Sequence, residues 1–252
     1  MRYLMAECFS AVNKNFQILS NKDCIAIFSW RSHGNMSLVY GDTCGSIASR
    51  SDFLTPAGIK YQDLVCAKQT HSNNIYFVNK NDSGKGALFY DSSIEDTDAL
   101  VTNLKSVPLA IFTADCLPVS LYDPKNNAIG LVHASWRSSQ ADITAKTVMF
   151  MQDKFNTSPE DLRVNFGPAI RACCFQVGDE FRDIFPGSLI SREKNSYLDL
   201  TGVNRQQLLD SGVNDINISD SGLCTYCNEN DFFSFRREGK SCGRMMSVLM
   251  LK

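Results

Sequence analysis

Apolar residues gather along this chain in short runs bounded by Gly, Asp, Asn or Pro. The runs are Cys24–Trp30, Leu64–Lys68, Ile75–Val78, Leu109–Thr113, Pro118–Tyr122, Ala128–His133, Leu162–Phe166 and Met245–Leu251. Their richness in Val, Ile, Phe and Tyr predicts β-strands. Several lack strict apolar–polar alternation, as strands covered on both faces do. Helical spacing appears in three places. Ile143, Thr147, Phe150/Met151 and Phe155 recur on one helical face. That helix should start at Ser138 or Ser139, with Asp142 three residues after Ser139 to complete a capping box. It should end before Ser158-Pro159-Glu160, itself a helix-start signature. A second helix is expected over about Asp179–Phe185. A third is expected over about Thr201–Ser211, with Gly212 as a left-handed stop. Strands and helices interleave without a regular βαβ repeat. The expected class is α+β, with mixed β-sheets flanked by helices in a single compact domain spanning 1–252. The turn-rich stretch Asn79–Thr97 reads as an exposed loop rather than a boundary.

Composition narrows the function without fixing it. With 44% apolar and 21% charged residues, the 252-residue chain is neither disordered nor fibrous. A net charge of −2 provides no basic footprint, so neither nucleic acid nor a membrane surface is expected as a partner. The N-terminal stretch MRYLMAECFSAVNKNF carries charges inside its apolar part and no small-residue cleavage site, which argues against a signal peptide. No apolar window reaches the roughly 18 residues of a membrane span. The ten cysteines are therefore expected in a reducing cytoplasm, where a thiol is more often buried, metal-bound or catalytic than paired.

Three reactive residues stand at the ends of apolar runs, where loops carry sites on a rigid scaffold. His71 closes Lys68-Gln69-Thr70-His71, Cys116 follows Leu109–Asp115, and His133 ends Ala128–His133. Two imidazoles and a thiol form the donor set of a three-ligand zinc site with one open position. The same residues also suit a cysteine hydrolase, with Cys116 as nucleophile, His71 or His133 as base, and Asp115 or Asp98 orienting the imidazole. Spacing alone leaves both readings open. Cys224-Thr-Tyr-Cys227 lacks an obvious second ligand pair, because Cys173 and Cys174 are adjacent, and reads as structural or incidental. Arg237, in the Arg236-Arg237 pair beside the aromatics Phe232, Phe233 and Phe235, and Arg137 beside Trp136 are candidate anion contacts.

The blocks KQTHS (68–72), TADCLPVSLYDP (113–124), HASWRSS (133–139), GPAIRACCFQVGDEF (167–181), LDLTGVNRQQL (198–208) and CTYCNENDFFSFRREGKSCGR (224–244) occur in that order. Together with Phe28–Arg31 and Asp98–Thr102, they resemble the laccase-domain family, also described as multicopper polyphenol oxidases and as purine nucleoside phosphorylases. The resemblance implies one zinc ion on His71, Cys116 and His133. It also implies phosphorolysis of adenosine, inosine, guanosine or methylthioadenosine with phosphate, and possible adenosine deaminase activity. Asp98 or Asp115 is then the expected proton carrier, and Arg31, Arg137 and Arg237 the expected anion contacts. Copper is disfavoured as the cofactor, because three histidines cannot fill mononuclear and trinuclear copper sites. The family's H-A-G-W-R-G segment reads His133-Ala-Ser135-Trp-Arg-Ser138 here, so two hydroxymethyl groups replace hydrogens where close approach to a ligand is expected.

Overall fold

The computed structural model describes residues 17–20 and 23–252. The whole of the N-terminal stretch MRYLMAECFSAVNKNF lies outside these residues. The strands are β1 (Gln17–Ser20), β2 (Cys24–Phe28), β3 (Val65–Cys66), β4 (Ile75–Phe77), β5 (Ala99–Thr102), β6 (Leu109–Thr113) and β7 (Leu117–Asp123). They continue with β8 (Ala128–Ala134), β9 (Arg163–Phe166), β10 (Gln176–Val177), β11 (Leu189–Arg192), β12 (Asn195–Leu198), β13 (Ile218–Asp220) and β14 (Met245–Leu251). The helices are α1 (Thr43–Leu54), α2 (Trp136–Gln140), α3 (Ile143–Phe155), α4 (Phe181–Ile184), α5 (Leu200–Asp210) and α6 (Phe235–Glu238).

Two mixed sheets face each other. One has the order β1-β2-β14-β6-β3, the other β13-β9-β7-β8-β5-β4, and β10-β12-β11 form a small third sheet. The period of two along each strand assigns its faces. On β8, Ile129 and Leu131 join Leu109, Ile111, Leu249 and Leu251 in a core between the two large sheets. Ala128, Val132 and Ala134 point the other way, into a core shared with Val148 and Met151 of α3 and Leu208 of α5. The outer face of the first sheet, through Ala110, Met246 and Val248, packs against Phe53 and Leu54 of α1. The result is four layers: helix, sheet, sheet, helices. Every residue of β7 and β8 is buried, which accounts for the missing alternation in their sequence.

The helical expectations need adjustment at their boundaries. The helix expected from Ser138 or Ser139 is two helices. Ser135 caps α2, its hydroxyl accepting from the Ser138 N–H at 3.1 Å. The chain then breaks at Asp142, which takes a left-handed φ of 58° and makes no side-chain cap bond, before α3 begins. The second helix is confined to Phe181–Ile184, and Ser158-Pro159 opens only a single 3-10 turn. The third is α5, and Gly212 after it has the expected positive φ of 92°. Helix α1 was not anticipated. Its sequence TCGSIASRSDFL carries few apolar residues, and its start is signalled only by Asp42, which accepts from Cys44 and Gly45 N–H groups. Asn79–Thr97 is a series of tight turns tied to the first sheet by an Ala67–Ile94 bridge.

Helix α3 lies close over β8 because Gly130 has no side chain. A Cβ at that position would stand 3.1 Å from Met151 Sδ and 3.3 Å from Thr147 Cγ2. Gly130→Val overfills this contact and should cost about 1–3 kcal/mol in urea denaturation. An unchanged midpoint would show that α3 is not held at this distance by the glycine.

Candidate metal centre and active site

The site forms where the end of β8, the β6–β7 crossing and a loop meet at the rim of the cleft between the two large sheets; the strand expected to run to His71 stops at Cys66. His133 has the parity of Ile129 and Leu131 on β8, so its ring points toward the opposite sheet. Cys116 lies on the short crossing from β6 in one sheet to β7 in the other. His71 lies on the loop between β3 and β4. Gln69 fixes the approach of that loop like one more rung of sheet. Its amide donates to the Phe112 carbonyl at 2.8 Å and accepts from the Phe112 N–H at 2.7 Å. One donor atom from each of His71, Cys116 and His133 lies within 4.8 Å of the others. The two rings meet edge to face at 5.0 Å.

Two residues of the site have strained backbones. His71 has a φ of 63° and Asp115 a φ of 92°, in the left-handed region that residues with a Cβ rarely occupy. Each costs on the order of 1–3 kcal/mol unless its surroundings hold it. Asp115 is held by its own carboxylate. One oxygen accepts from Thr225 Oγ1 at 2.7 Å, the other from Ser234 Oγ at 3.0 Å and the Arg236 N–H at 2.7 Å. The loop after β13 and the start of α6 are thereby tied to the crossing that presents Cys116.

Asp98 organises the opposite side. It is fully buried just before β5, and its Oδ1 sits 2.7 Å from His133 Nδ1. Oδ2 accepts from the Ser72 N–H at 2.7 Å, Ser72 Oγ at 3.0 Å and the Thr70 N–H at 3.1 Å. One carboxylate thus orients His133 and grips the loop carrying His71. With Nδ1 engaged, Nε2 of His133 is the nitrogen left for Cys116 or a metal, an arrangement common behind metal-ligating histidines. Burial alone would raise the Asp98 pKa, but its hydrogen bonds to His133 and Ser72 hold it below the ordinary carboxylate value.

Cys116 and His133 polarise each other. Burial opposes charge on Cys116, yet the adjacent His133 and hydrogen bonds from both imidazoles bring its pKa down to about 6. Burial likewise opposes protonation of His133, while Cys116 and Asp98 raise it to about 9. A thiolate is thus available near neutral pH, as both a metal ligand and a nucleophile require.

The three donors open onto a cavity of about 520 Å³, within the usual range of small-molecule sites. Aromatic residues Tyr40, Tyr90, Phe112, Trp136, Phe175 and Phe235 contribute to its lining. Three exposed or half-buried arginines, Arg137, Arg236 and Arg244, supply positive charge. The Arg137 guanidinium lies over the Trp136 ring at 4.3 Å, and that of Arg236 over Phe175 at 5.4 Å.

Other expected site residues have different duties. Arg31 and Arg237 do not line the cavity: both pair with Glu238 at 2.6 Å, and Arg237 also donates to the carbonyls of Thr225, Tyr226 and Phe232. Of the Arg236-Arg237 pair, it is Arg236 that faces the cavity, and neighbouring positions in a tight turn gave no periodicity to tell them apart. The carboxylates of Asp98 and Asp115 are saturated with donors, which suits them to positioning rather than to proton carriage. His33 is engaged elsewhere, its Nδ1 accepting from the Trp30 N–H and its ring against Phe53. Ser135 and Ser138 spend their hydroxyls on each other and on local backbone groups, so the two replacements of family glycines form a buried cap.

Residues 26–252 match the family model described as multi-copper polyphenol oxidoreductase laccase. The chain belongs to this laccase-domain family. It is 33% identical to purine nucleoside phosphorylase YlmD of Bacillus subtilis, over 99% of this chain and 94% of that protein. It is 30% identical to adenosine deaminase RL5 from an unknown prokaryotic organism, over 77% and 78% of the two chains. Among solved structures, YfiH of Bacillus licheniformis, titled a hypothetical protein, superimposes with a TM-score of 0.92 at 31% identity, covering 98% of this chain and all of that one. The α+β fold is therefore that of the laccase-domain family throughout the matched length. No helix among the described residues is long and apolar enough to cross a membrane.

The lowered pKa of Cys116 has a direct consequence. The thiolate is the form that reacts with iodoacetamide, so alkylation accelerates as pH rises through the thiol's pKa. In metal-free protein, peptide mapping should place the midpoint for Cys116 near pH 6. In His133→Ala, with only His71 left to oppose burial, it should move up toward the ordinary value of 9. A wild-type midpoint near 9 would contradict the ion pair.

Proposed function

We propose that this chain is a zinc-dependent purine nucleoside phosphorylase of the cytoplasm, with adenosine deamination as a second activity. Its substrates on this reading are adenosine, inosine, guanosine or methylthioadenosine, together with phosphate. The observation that carries the reading is the meeting of His71, Cys116 and His133 within 4.8 Å at a cavity bearing aromatic and arginine side chains. The names of the relatives supply the substrate class.

The donor set fits zinc. Imidazole nitrogen and thiolate sulfur are its preferred ligands, and three protein ligands leave a position open for substrate or water. Cys116 already favours its ligating form, and the Asp98 contact supports His133 from behind. Copper clusters of the kind named in the family description need more imidazoles than the three this chain contains. When bound, zinc would supply a Lewis acid that polarises an oxygen and stabilises negative charge.

The rest of the chemistry falls to side chains. In phosphorolysis a phosphate oxygen forms a bond to ribose C1′ while the C1′–N9 bond breaks. The bonding electrons leave with the purine, which takes up a proton. Arg137 and Arg236 are placed to neutralise the incoming phosphate, and the aromatic walls to stack the base. Asp98 keeps the His133 ring and the His71 loop in register, and Asp115 holds the Cys116 crossing. Fixed positions of this kind reduce the barrier by removing the entropy of alignment.

A metal-independent cysteine hydrolase is the competing reading, favoured by the Cys116–His133 ion pair. Activity insensitive to chelators and abolished by alkylation would establish it. Incubation with adenosine, with and without phosphate, tests the proposal. Adenine and ribose 1-phosphate should appear only with phosphate, and phosphate-independent inosine would report the deaminase activity. His71→Ala should lose the zinc of this centre and at least about a hundredfold in phosphorolysis. Undiminished phosphorolysis by a His71→Ala/His133→Ala protein with no metal at this centre would overturn the proposal.

A further inference from the structure

Cys224-Thr-Tyr-Cys227, which sequence alone leaves without a second ligand pair, has one in the fold. Cys173, Cys174, Cys224 and Cys227 bring their sulfurs within 4.8 Å of one another. The two segments are laid side by side by backbone bonds. Ala169 donates to the Leu223 carbonyl at 3.2 Å, and Thr225 to the Ala169 carbonyl at 3.1 Å. A turn after Ala169, closed by Cys174 and Phe175 N–H groups on the Arg171 carbonyl, folds the adjacent cysteines back toward this pair. Arg171 grips Asp220 with two nitrogens, at 2.8 and 2.6 Å, which locks the turn to the end of β13.

We propose that these four cysteines form a closed tetrathiolate site for a structural zinc ion, separate from the His71–Cys116–His133 centre.

Four soft donors from two hydrogen-bonded turns are the ligand set of structural zinc sites. A tetrahedron with zinc–sulfur bonds of about 2.3 Å has sulfurs about 3.8 Å apart. Cys227 Sγ lies 3.6 Å from Cys173 Sγ and 3.3 Å from Cys174 Sγ, so little movement closes the shell. The buried Cys224 sulfur accepts N–H groups from the Cys227 and Arg171 backbones, as thiolates at such sites commonly do. A disulfide would use two of the sulfurs and leave the other two crowded against it.

The site's place gives it a purpose. Thr225, inside the Cys224–Cys227 turn, donates to the Asp115 carboxylate, and Ile170 donates to the Asp115 carbonyl at 2.9 Å. A cation joining the two turns would brace the strained crossing that presents Cys116, and would fix Phe175 in the cavity wall.

The inference does not rest on the proposed reaction, and metal counting separates the two. Full-length protein, loaded with zinc under reducing conditions and desalted, should hold two zinc ions per chain. His71→Ala/His133→Ala should keep one, and Cys227→Ser, altering an exposed position, should have one fewer than wild type. If the three-ligand centre binds nothing, wild type holds one ion that is lost in Cys227→Ser alone, and this proposal stands while the other falls. Cobalt loaded into the His71→Ala/His133→Ala protein gives a readout that leaves the four cysteines unaltered: intense thiolate-to-cobalt absorption is expected. Equal zinc content in Cys227→Ser and wild type, cobalt binding without thiolate bands, or iron as the bound metal would overturn the assignment. So would a Cys174–Cys227 disulfide in protein isolated anaerobically.

Discussion

Between Thr113 and Leu117 the chain leaves one sheet and enters the other, and the whole site depends on how that crossing is held. Cys116 can meet two imidazoles from the facing elements only because Asp115 adopts a left-handed backbone that its side chain would normally resist. Three donors to the Asp115 carboxylate, from Thr225, Ser234 and Arg236, offset that strain. A second buried carboxylate, Asp98, does the matching work for His133 and the His71 loop. The two acidic groups therefore act on the chemistry through the donors they position.

This division of labour explains why some site residues were legible in the sequence and others were not. His71, Cys116 and His133 stand at ends of apolar runs, and strand ends are where a rigid scaffold delivers reactive groups, so pattern alone singled them out. Their convergence rests on β6 and β7 lying in different sheets, which no local pattern encodes. The central strands read clearly because both of their faces are covered. Helix α1 did not, since it buries only Phe53 and Leu54 as large apolar groups and its Gly and Ser residues look like loop. Arg31 and Arg237 looked like free cations, but Glu238, close in space to both, engages them. The four-cysteine cluster was hidden for a similar reason: its halves lie about fifty residues apart and meet through backbone bonds at Ala169 and Thr225.

The departures from the family pattern sit beside the candidate metal centre without entering its donor set. Ser135 and Ser138 close a buried capping box that starts α2 where the family has glycines. Their hydroxyls are satisfied within the turn, so their effect on a ligand is mainly one of volume at the wall that Ser135 shares. Arg137 projects from the same turn onto Trp136, which places positive charge at the cavity directly beside the altered positions.

On the function proposed here, His71, Cys116 and His133 hold one zinc ion in common. Diffraction from crystals of the zinc-loaded protein, recorded above and below the zinc absorption edge, tests it without recourse to activity. An anomalous peak is expected within about 2.0–2.3 Å of a nitrogen of each imidazole and of the Cys116 sulfur. A cleft with no such peak, or a peak bonded to fewer than all three side chains, would contradict it.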